Sequence, residues 1–298
     1  MAQPSNKLWI PIASAVSAAT GSPLKIERWS AVGGGCINAS YCIDDGRRCF
    51  FVKTNAPHAL DMFAAEAAGL AEIARSRTVR VPQPLCHGRN TDASWLVLEW
   101  IEFNSASRDS GRGLGHALAA MHRVTAARFG WQRDNTIGAT PQINNQCDNW
   151  VEFWRERRLG FQLALAAKNG APKSLLAKGE RLACDFSALL KGCKVDPALL
   201  HGDLWGGNAG FDRMGTPVIF DPAVYYGHRE ADLAMTELFG GFSADFYAAY
   251  RAALPLDAGY NVRKQLYNLY HVLNHYNLFG GGYARQAEAM IDRLLAEV

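Results

Sequence analysis

The stretch Leu200-His201-Gly202-Asp203-Leu204-Trp205-Gly206-Gly207-Asn208, with Asp221 following 13 positions after Asn208, constrains this chain most. An apolar approach breaks into a polar, glycine-bearing loop. The next apolar run, Pro217-Val218-Ile219-Phe220, ends in the Asp221 carboxylate. Asp203 and Asn208 are close enough to share one loop, and Asp221 meets them if that loop leads into a short hairpin. Two carboxylates and an amide oxygen then converge as hard oxygen groups suited to Mg²⁺. Asp and Asn also occur in turns for their backbone hydrogen bonds alone, so the rest of the chain has to supply the other half of any site.

A chain of 298 residues is long enough for a sizeable core and usually divides into two domains or lobes. Its hydrophobic fraction of 49% and charged fraction of 20% are those of a globular protein. A net charge of +3 without a run of Lys and Arg gives no reason to expect a nucleic-acid partner. Seven scattered cysteines, an odd number with no CxxC pair, argue against a disulfide framework and a zinc site. The N-terminus lacks the basic start and long apolar core of a signal peptide, and no apolar run is long enough for a membrane span. The expectation is a cytoplasmic protein.

The first third reads as strands with two helices. A helix is expected over 8–19, strands over 24–32 and 39–43, and a third strand over 48–54 after the turn Asp44-Asp45-Gly46. Between the first two strands lies Gly33-Gly34-Gly35-Cys36-Ile37-Asn38. Glycines permit positive φ and bare backbone N–H groups, so such a hairpin can cover phosphate oxygens. No Gly-Lys-Ser/Thr follows, so it is not a Walker A loop. Lys53 ends the strand Phe50-Phe51-Val52 and shares a strand face with Phe51. In the helix predicted over 59–75, Glu66 falls inside the stripe formed by Phe63, Ala67 and Leu70, while Asp61 and Glu72 fall on the opposite, solvated face. A carboxylate on a buried face needs a partner, and Lys53 is the obvious one.

A strand over 95–101 precedes the Ser-, Gly- and Arg-rich stretch 104–113, after which the pattern turns helical. This divides the chain into an N-lobe of residues 1–101 and a C-lobe of residues 102–298, with Glu99, Trp100 and Ile101 as a hinge able to meet an adenine ring. In the C-lobe, helices are expected over 148–167 with Asp148 or Asn149 as cap, and over 175–190, 230–239, 244–253, 262–279 and from 284. His271 and His275 are four apart on one helix, but no third ligand lies nearby in sequence. They read as core or hydrogen-bonded histidines.

His-x-Asp-x4-Asn followed by an Asp after a strand, together with a glycine hairpin and a Lys–Glu pair, is the phosphotransfer arrangement of kinases. The fold class is therefore α+β: a bilobal, protein-kinase-like fold with a small antiparallel N-lobe and a larger, mostly helical C-lobe. The details are narrower. Gly33 to Asn38, Phe51-Val52-Lys53, Met62 to Glu66, His201 to Asn208, Asp221-Pro222-Ala223, Gly227-His228-Arg229-Glu230 and Phe239-Gly240-Gly241-Phe242 resemble the fructosamine kinase (ketosamine-3-kinase) family. That family is a branch of the aminoglycoside phosphotransferase-like kinases. Asp221-Pro222-Ala223 departs from the Asp-Phe-Gly of protein kinases, and no activation loop ending in Ala-Pro-Glu follows.

The resemblance implies ATP- and Mg²⁺-dependent phosphorylation of the sugar 3-hydroxyl of a ketosamine, in a deglycation or repair role. Ribulosamine, erythrulosamine and fructosamine adducts of amines or protein lysines are the implied substrates. Asp203 is then the catalytic base, and Asn208 and Asp221 are the metal ligands. Lys53, positioned by Glu66, neutralises the α and β phosphates, while the N–H groups of Gly33, Gly34, Gly35, Cys36 and Asn38 cover the β and γ phosphates. Trp205, His228 and Glu230 are candidate substrate contacts. The resemblance also suggests a monomer or homodimer, with Cys36 as a redox-linked intermolecular bridge. The competing readings are a kinase of the same fold acting on an aminoglycoside, choline or homoserine, and a pseudokinase that binds without catalysis.

Overall fold

The computed structural model describes residues 6–33, 37–105 and 108–298. Gly34, Gly35 and Cys36 lie outside the described residues. A five-stranded antiparallel sheet dominates the first lobe. It is built from β1 (Arg28–Val32), β2 (Ala39–Asp44), β3 (Cys49–Asn55), β4 (Pro84–Arg89) and β5 (Ser94–Glu99), in the order β1-β2-β3-β5-β4. Helix α1 (Asn6–Thr20) lies on one face and α2 (Leu60–Ser76) on the other. Strand alternation makes both faces. Phe50 and Val52 of β3 and Trp95 and Val97 of β5 pack with Trp9, Ile12 and Val16 of α1. Leu96 and Leu98 turn the other way, towards Phe63, Leu70 and Ile73 of α2, and join the core of the second lobe.

The chain leaves β5 at Glu99 and enters β6 (Phe103–Asn104), which belongs to a different, three-stranded sheet with β10 (Ala209–Asp212) and β11 (Pro217–Ile219). The rest is mainly helical: α3 (Arg108–His122), α4 (Trp150–Trp154), α5 (Phe161–Lys168), α6 (Lys173–Asp185), α7 (Glu230–Leu238), α8 (Ala244–Ala253), α9 (Tyr260–Phe279) and α10 (Tyr283–Leu295). Asn149 caps α4 by accepting a hydrogen bond from the Glu152 N–H at 3.1 Å. The helix predicted over 148–167 is interrupted by a π turn at Arg155–Gly160, which joins α4 to α5. Two short ribbons complete the lobe: β7 (Asn135–Ile137) with β8 (Thr140–Gln142), and β9 (Ala198–Leu200) with β12 (Tyr225–Gly227). The result is the two-lobed α+β architecture expected of the sequence. One expectation fails at the junction. Glu72 is not on a solvated face, because its Oε1 accepts a hydrogen bond from the Tyr226 hydroxyl of the second lobe at 2.8 Å.

Candidate active site

The ribbon of β9 and β12 explains why the opening motif and Asp221 meet. β9 runs into His201-Gly202-Asp203, and β12 is entered from Asp221-Pro222-Ala223, so both segments leave the same end of one ribbon. The Ala223 N–H donates to the His201 carbonyl at 2.8 Å. Gly202 has φ +83°, and a Cβ there would lie 2.1 Å from the Ala223 carbonyl oxygen. Only glycine satisfies both the left-handed backbone and that close approach. The hairpin of β10 and β11 then brings the other two groups together. Ala209 is opposite Ile219, and the Phe220 N–H donates to the Asn208 carbonyl at 3.0 Å. Asn208 and Asp221 therefore flank one rung of the ladder.

Asp221 has φ +59°, in the sparsely populated left-handed region. Lys53 holds it there: Nζ contacts Asp221 Oδ1 at 2.5 Å and Glu66 Oε1 at 2.7 Å. The predicted Lys53–Glu66 pair is present, with a second carboxylate added. Burial works against the charge on Lys53, but the carboxylates of Asp221 and Glu66 outweigh it and raise its pKa above the ordinary value. Burial pushes Glu66 upward as well, opposed by Lys53. The side chain of Asp221 keeps 42% of its surface open, against 5% for Lys53, so the carboxylate still faces the cleft.

The Asn208 amide donates through Nδ2 to the Asp203 carbonyl at 2.9 Å and to Asp203 Oδ2 at 3.3 Å. Those bonds leave Asn208 Oδ1 as an acceptor for a cation. Asp203 is raised to about 7, first by burial and then by the charge on Asp221, with the Asn208 hydrogen bond acting in the opposite direction. A carboxylate poised near neutrality beside a cleft suits proton transfer.

The cleft has a volume of about 480 Å³. Asn38, Lys53 and Glu66 line it from the small lobe, Asp203, Trp205, Asn208 and Asp221 from the catalytic loops, and α9 and the hairpin of β7 and β8 close its far side. Trp205 stands edge-on to Phe239, with ring centroids 6.3 Å apart. His271 and His275, read from sequence as structural, both line the cleft.

Other sequence-derived positions fall elsewhere. Glu99, Trp100 and Ile101 lie at the crossing between lobes, outside this cleft's lining. Glu99 pairs with Arg80 at 2.6 Å, and Trp100 sits against Phe51. Gly33 is exposed at the end of β1, with no atom near its missing Cβ. His228 and Glu230 are not brought to the cleft. Both are buried, with His228 Nδ1 2.6 Å from the Tyr267 hydroxyl and Glu230 held in two hydrogen bonds by Arg263 at 2.7 and 2.8 Å. The motif Gly227 to Glu230 is thus a folding element in the second lobe, not a lining of this cleft.

Sequence reasoning missed Asp232. Its carboxylate accepts from the His201 N–H at 2.7 Å and the Gly202 N–H at 2.8 Å, and lies 3.2 Å from His122 Nε2. Burial opposes its charge, but these donors and His122 lower its pKa. The available signal was a carboxylate set among Ala231, Leu233, Ala234 and Met235 of one helix, where a charge needs a partner. Asn135 and Gln142 were missed as well. They donate to the carbonyls of Val224 at 2.8 Å and Ala223 at 3.0 Å, fixing the segment just after Asp221.

The geometry agrees with the comparisons to known proteins. The profile of the fructosamine kinase family matches residues 8–297. A Synechocystis protein named a probable ketoamine kinase is 50% identical, over 96% of this chain and 97% of its own. A chloroplastic protein-ribulosamine 3-kinase of Arabidopsis thaliana is 45% identical, over 92% of this chain and 85% of its own. A Haemophilus somnus protein solved under the name of a fructosamine-3-kinase superposes with a TM-score of 0.88 at 28% identity, covering 95% and 96% of the two chains. The fold alone extends to an aminoglycoside phosphotransferase, with a TM-score of 0.62 at 13% identity over 96% and 98%. With its kinase-like fold and this match over nearly its whole length, the chain belongs to the fructosamine kinase family, phosphotransferases with an alcohol group as acceptor.

Proposed function

We propose that the protein phosphorylates the sugar 3-hydroxyl of ketosamines at the expense of ATP. The observation that carries this reading is the convergence of Lys53, Asp203, Asn208 and Asp221 on one cleft, with Lys53 bound to Glu66 and Asp221 together. The names of the relatives support a ketosamine acceptor, and the plant relative supports a ribulosamine.

Asp203 receives the acceptor hydroxyl and takes its proton as the new O–P bond forms and the bond from the γ phosphorus to its bridging oxygen breaks, with ADP as the leaving group. Lys53 offsets charge on the nucleotide phosphates, and Glu66 keeps its ammonium in place. The Asn208 amide oxygen and the Asp221 carboxylate are the hard oxygen ligands that would hold Mg²⁺. When bound, Mg²⁺ supplies charge neutralisation between the phosphates. Trp205, on the cleft wall, gives the sugar or its amine an apolar face. The N–H groups of Gly33 to Asn38 cover the phosphates, and Glu99 to Ile101 meet the adenine. The product phosphate sits on C3, next to the ketone carbon C2 and β to the amine-bearing C1. Loss of a C1 proton gives the enaminol, phosphate leaves from C3, and water hydrolyses the resulting imine to free the amine, which is the basis of a deglycation role.

The test is ATP turnover by the full chain with ribulosyl-, erythrulosyl- and fructosyl-lysine, beside an aminoglycoside, choline and homoserine, with the phosphate position mapped on the product. Phosphate on O3 of a ketosamine is expected. Turnover with one of the other alcohols alone, or none with any ketosamine, would overturn the assignment.

A further inference from the structure

Cys193, His228, Glu230 and Asp257 form a cluster away from the catalytic cleft. Cys193 Sγ lies 3.9 Å from His228 Nε2 and donates to Asp257 Oδ2 at 3.4 Å. Ligand atoms of Cys193, His228 and Glu230 all lie within 4.8 Å of one another. A tetrahedral zinc ion with bonds of about 2.0–2.3 Å has ligand-to-ligand edges of about 3.5 Å, so Cys193 Sγ already stands near that spacing from both His228 Nε2 and Asp257 Oδ2, and the exposed Asp257 side chain has to turn to close the third edge.

We propose that Cys193, His228 and Asp257 bind one thiophilic divalent cation of the Zn²⁺ class, with a fourth position open to solvent. Three features of the surroundings support the site. The far nitrogen of His228 is anchored, with Nδ1 2.6 Å from the Tyr267 hydroxyl, which fixes the ring with Nε2 towards Cys193. Glu230 stays with Arg263 through both oxygens, so the charge of that guanidinium is cancelled inside the cluster. The Cys193 thiolate and Asp257 carboxylate then balance a doubly charged ion. Access is available as well, since Asp257 is exposed and Cys193 half-buried. The thiol proton leaves to solvent as the sulfur–metal bond forms.

The three ligands come from separate parts of the chain. Cys193 precedes β9, His228 follows β12, and Asp257 lies between α8 and α9. A bound ion therefore staples the far end of the ribbon that carries the catalytic loop, and its expected effect is on stability. This proposal is independent of the substrate assignment.

The experiment is a Co²⁺ titration of the untagged, reduced full chain, read by the thiolate-to-cobalt charge-transfer band and by melting temperature with Zn²⁺. One equivalent should saturate the band, and Zn²⁺ in large excess over its Kd should raise the melting temperature by about 5 °C. Cys193→Ser should abolish the band and Asp257→Asn should weaken it, while Cys184→Ser, at an exposed position on α6, should leave it intact. If Cys193→Ser does not fold, the change in Asp257→Asn still decides the matter. Absence of a band and of a melting shift, or a band that survives in both Cys193→Ser and Asp257→Asn, would overturn the proposal.

Discussion

Two residues show how much of this site rests on single atoms. Gly202 has no tolerance for a side chain, because its backbone is left-handed and the Ala223 carbonyl fills the place of a Cβ. Gly202→Ala is expected to separate the catalytic loop from the Asp221 segment, lowering both melting temperature and turnover. Thermal unfolding and a steady-state assay on the same sample would register both losses. Asp203→Asn is the opposite case. It keeps the shape and the hydrogen-bonding reach to Asn208 but removes the base, so kcat should fall by about 10²–10⁴ with little change in melting temperature. Retention of full kcat would remove Asp203 from the proton-transfer role. Asp203 was legible in the sequence because the chemistry requires a carboxylate at that spacing from Asn208. His228 and Glu230 carried the same kind of motif signal, yet their partners Tyr267 and Arg263 lie on α9, far along the chain, and turn them inward.

At the scale of elements, the site is a ribbon end clamped from two sides. α7 clamps it through Asp232, which receives two N–H groups of the catalytic loop. The hairpin of β7 and β8 clamps it through Asn135 and Gln142, which hold the carbonyls after Asp221. Tyr270 in turn donates to Gln142 Oε1 at 2.8 Å, and Asn144, held by the buried Arg158, donates to Asn135 Oδ1 at 2.9 Å. Gln142→Leu would leave the Ala223 carbonyl and the Tyr270 hydroxyl buried without that partner, at a cost of about 1–3 kcal/mol. Chemical denaturation should show that loss, together with a higher Mg²⁺ concentration for half-maximal activity, because the constrained segment carries Asp221. A loss of stability with unchanged Mg²⁺ dependence would mean that the clamp does not reach Asp221. None of these partners was visible as a motif. Each is a polar residue whose use depends on what lies opposite.

At the scale of the whole molecule, Arg80 is one of the groups that join the lobes. Arg80, in the segment between α2 and β4, pairs with Glu99 of β5 and with Asp212 of β10, and its carbonyl accepts from the Ile219 N–H at 3.0 Å. Stability as a whole also reads out opposing titrations. Burial lowers His201, His228 and His271, the last to about 3. These rings are neutral in the fold, whereas the unfolded chain takes up their protons as pH falls through about 6.5. Their contribution is complete above that value and is lost below it. Asp203, raised to about 7, acts in the other direction, gaining stability as pH falls. A single variant separates the two. Between pH of about 7.5 and 5.5, His271→Gln should lose about 1.4 kcal/mol less stability than the unsubstituted protein. Equal pH dependence of the two in denaturant titrations would show that His271 is not held neutral. No helix among the described residues is long and apolar enough to cross a membrane.

Local sequence was enough for the two-lobed plan, the Lys53–Glu66 pair and the trio Asp203, Asn208 and Asp221. Each follows from local periodicity or from short spacings that the chain cannot escape. Glu66 was readable because a helix of fixed pitch put a carboxylate among apolar neighbours, and Asn208 met Asp221 because only a hairpin joins them. Tertiary structure alone decided that Lys53 bridges to Asp221, that Asp232 and Gln142 hold the catalytic segments, and that His271 and His275 face the cleft while His228 and Glu230 do not. Those outcomes depend on which buried polar group finds a partner across more than a hundred residues of chain in several cases. Burial makes that pairing obligatory, but only the packed fold says with whom.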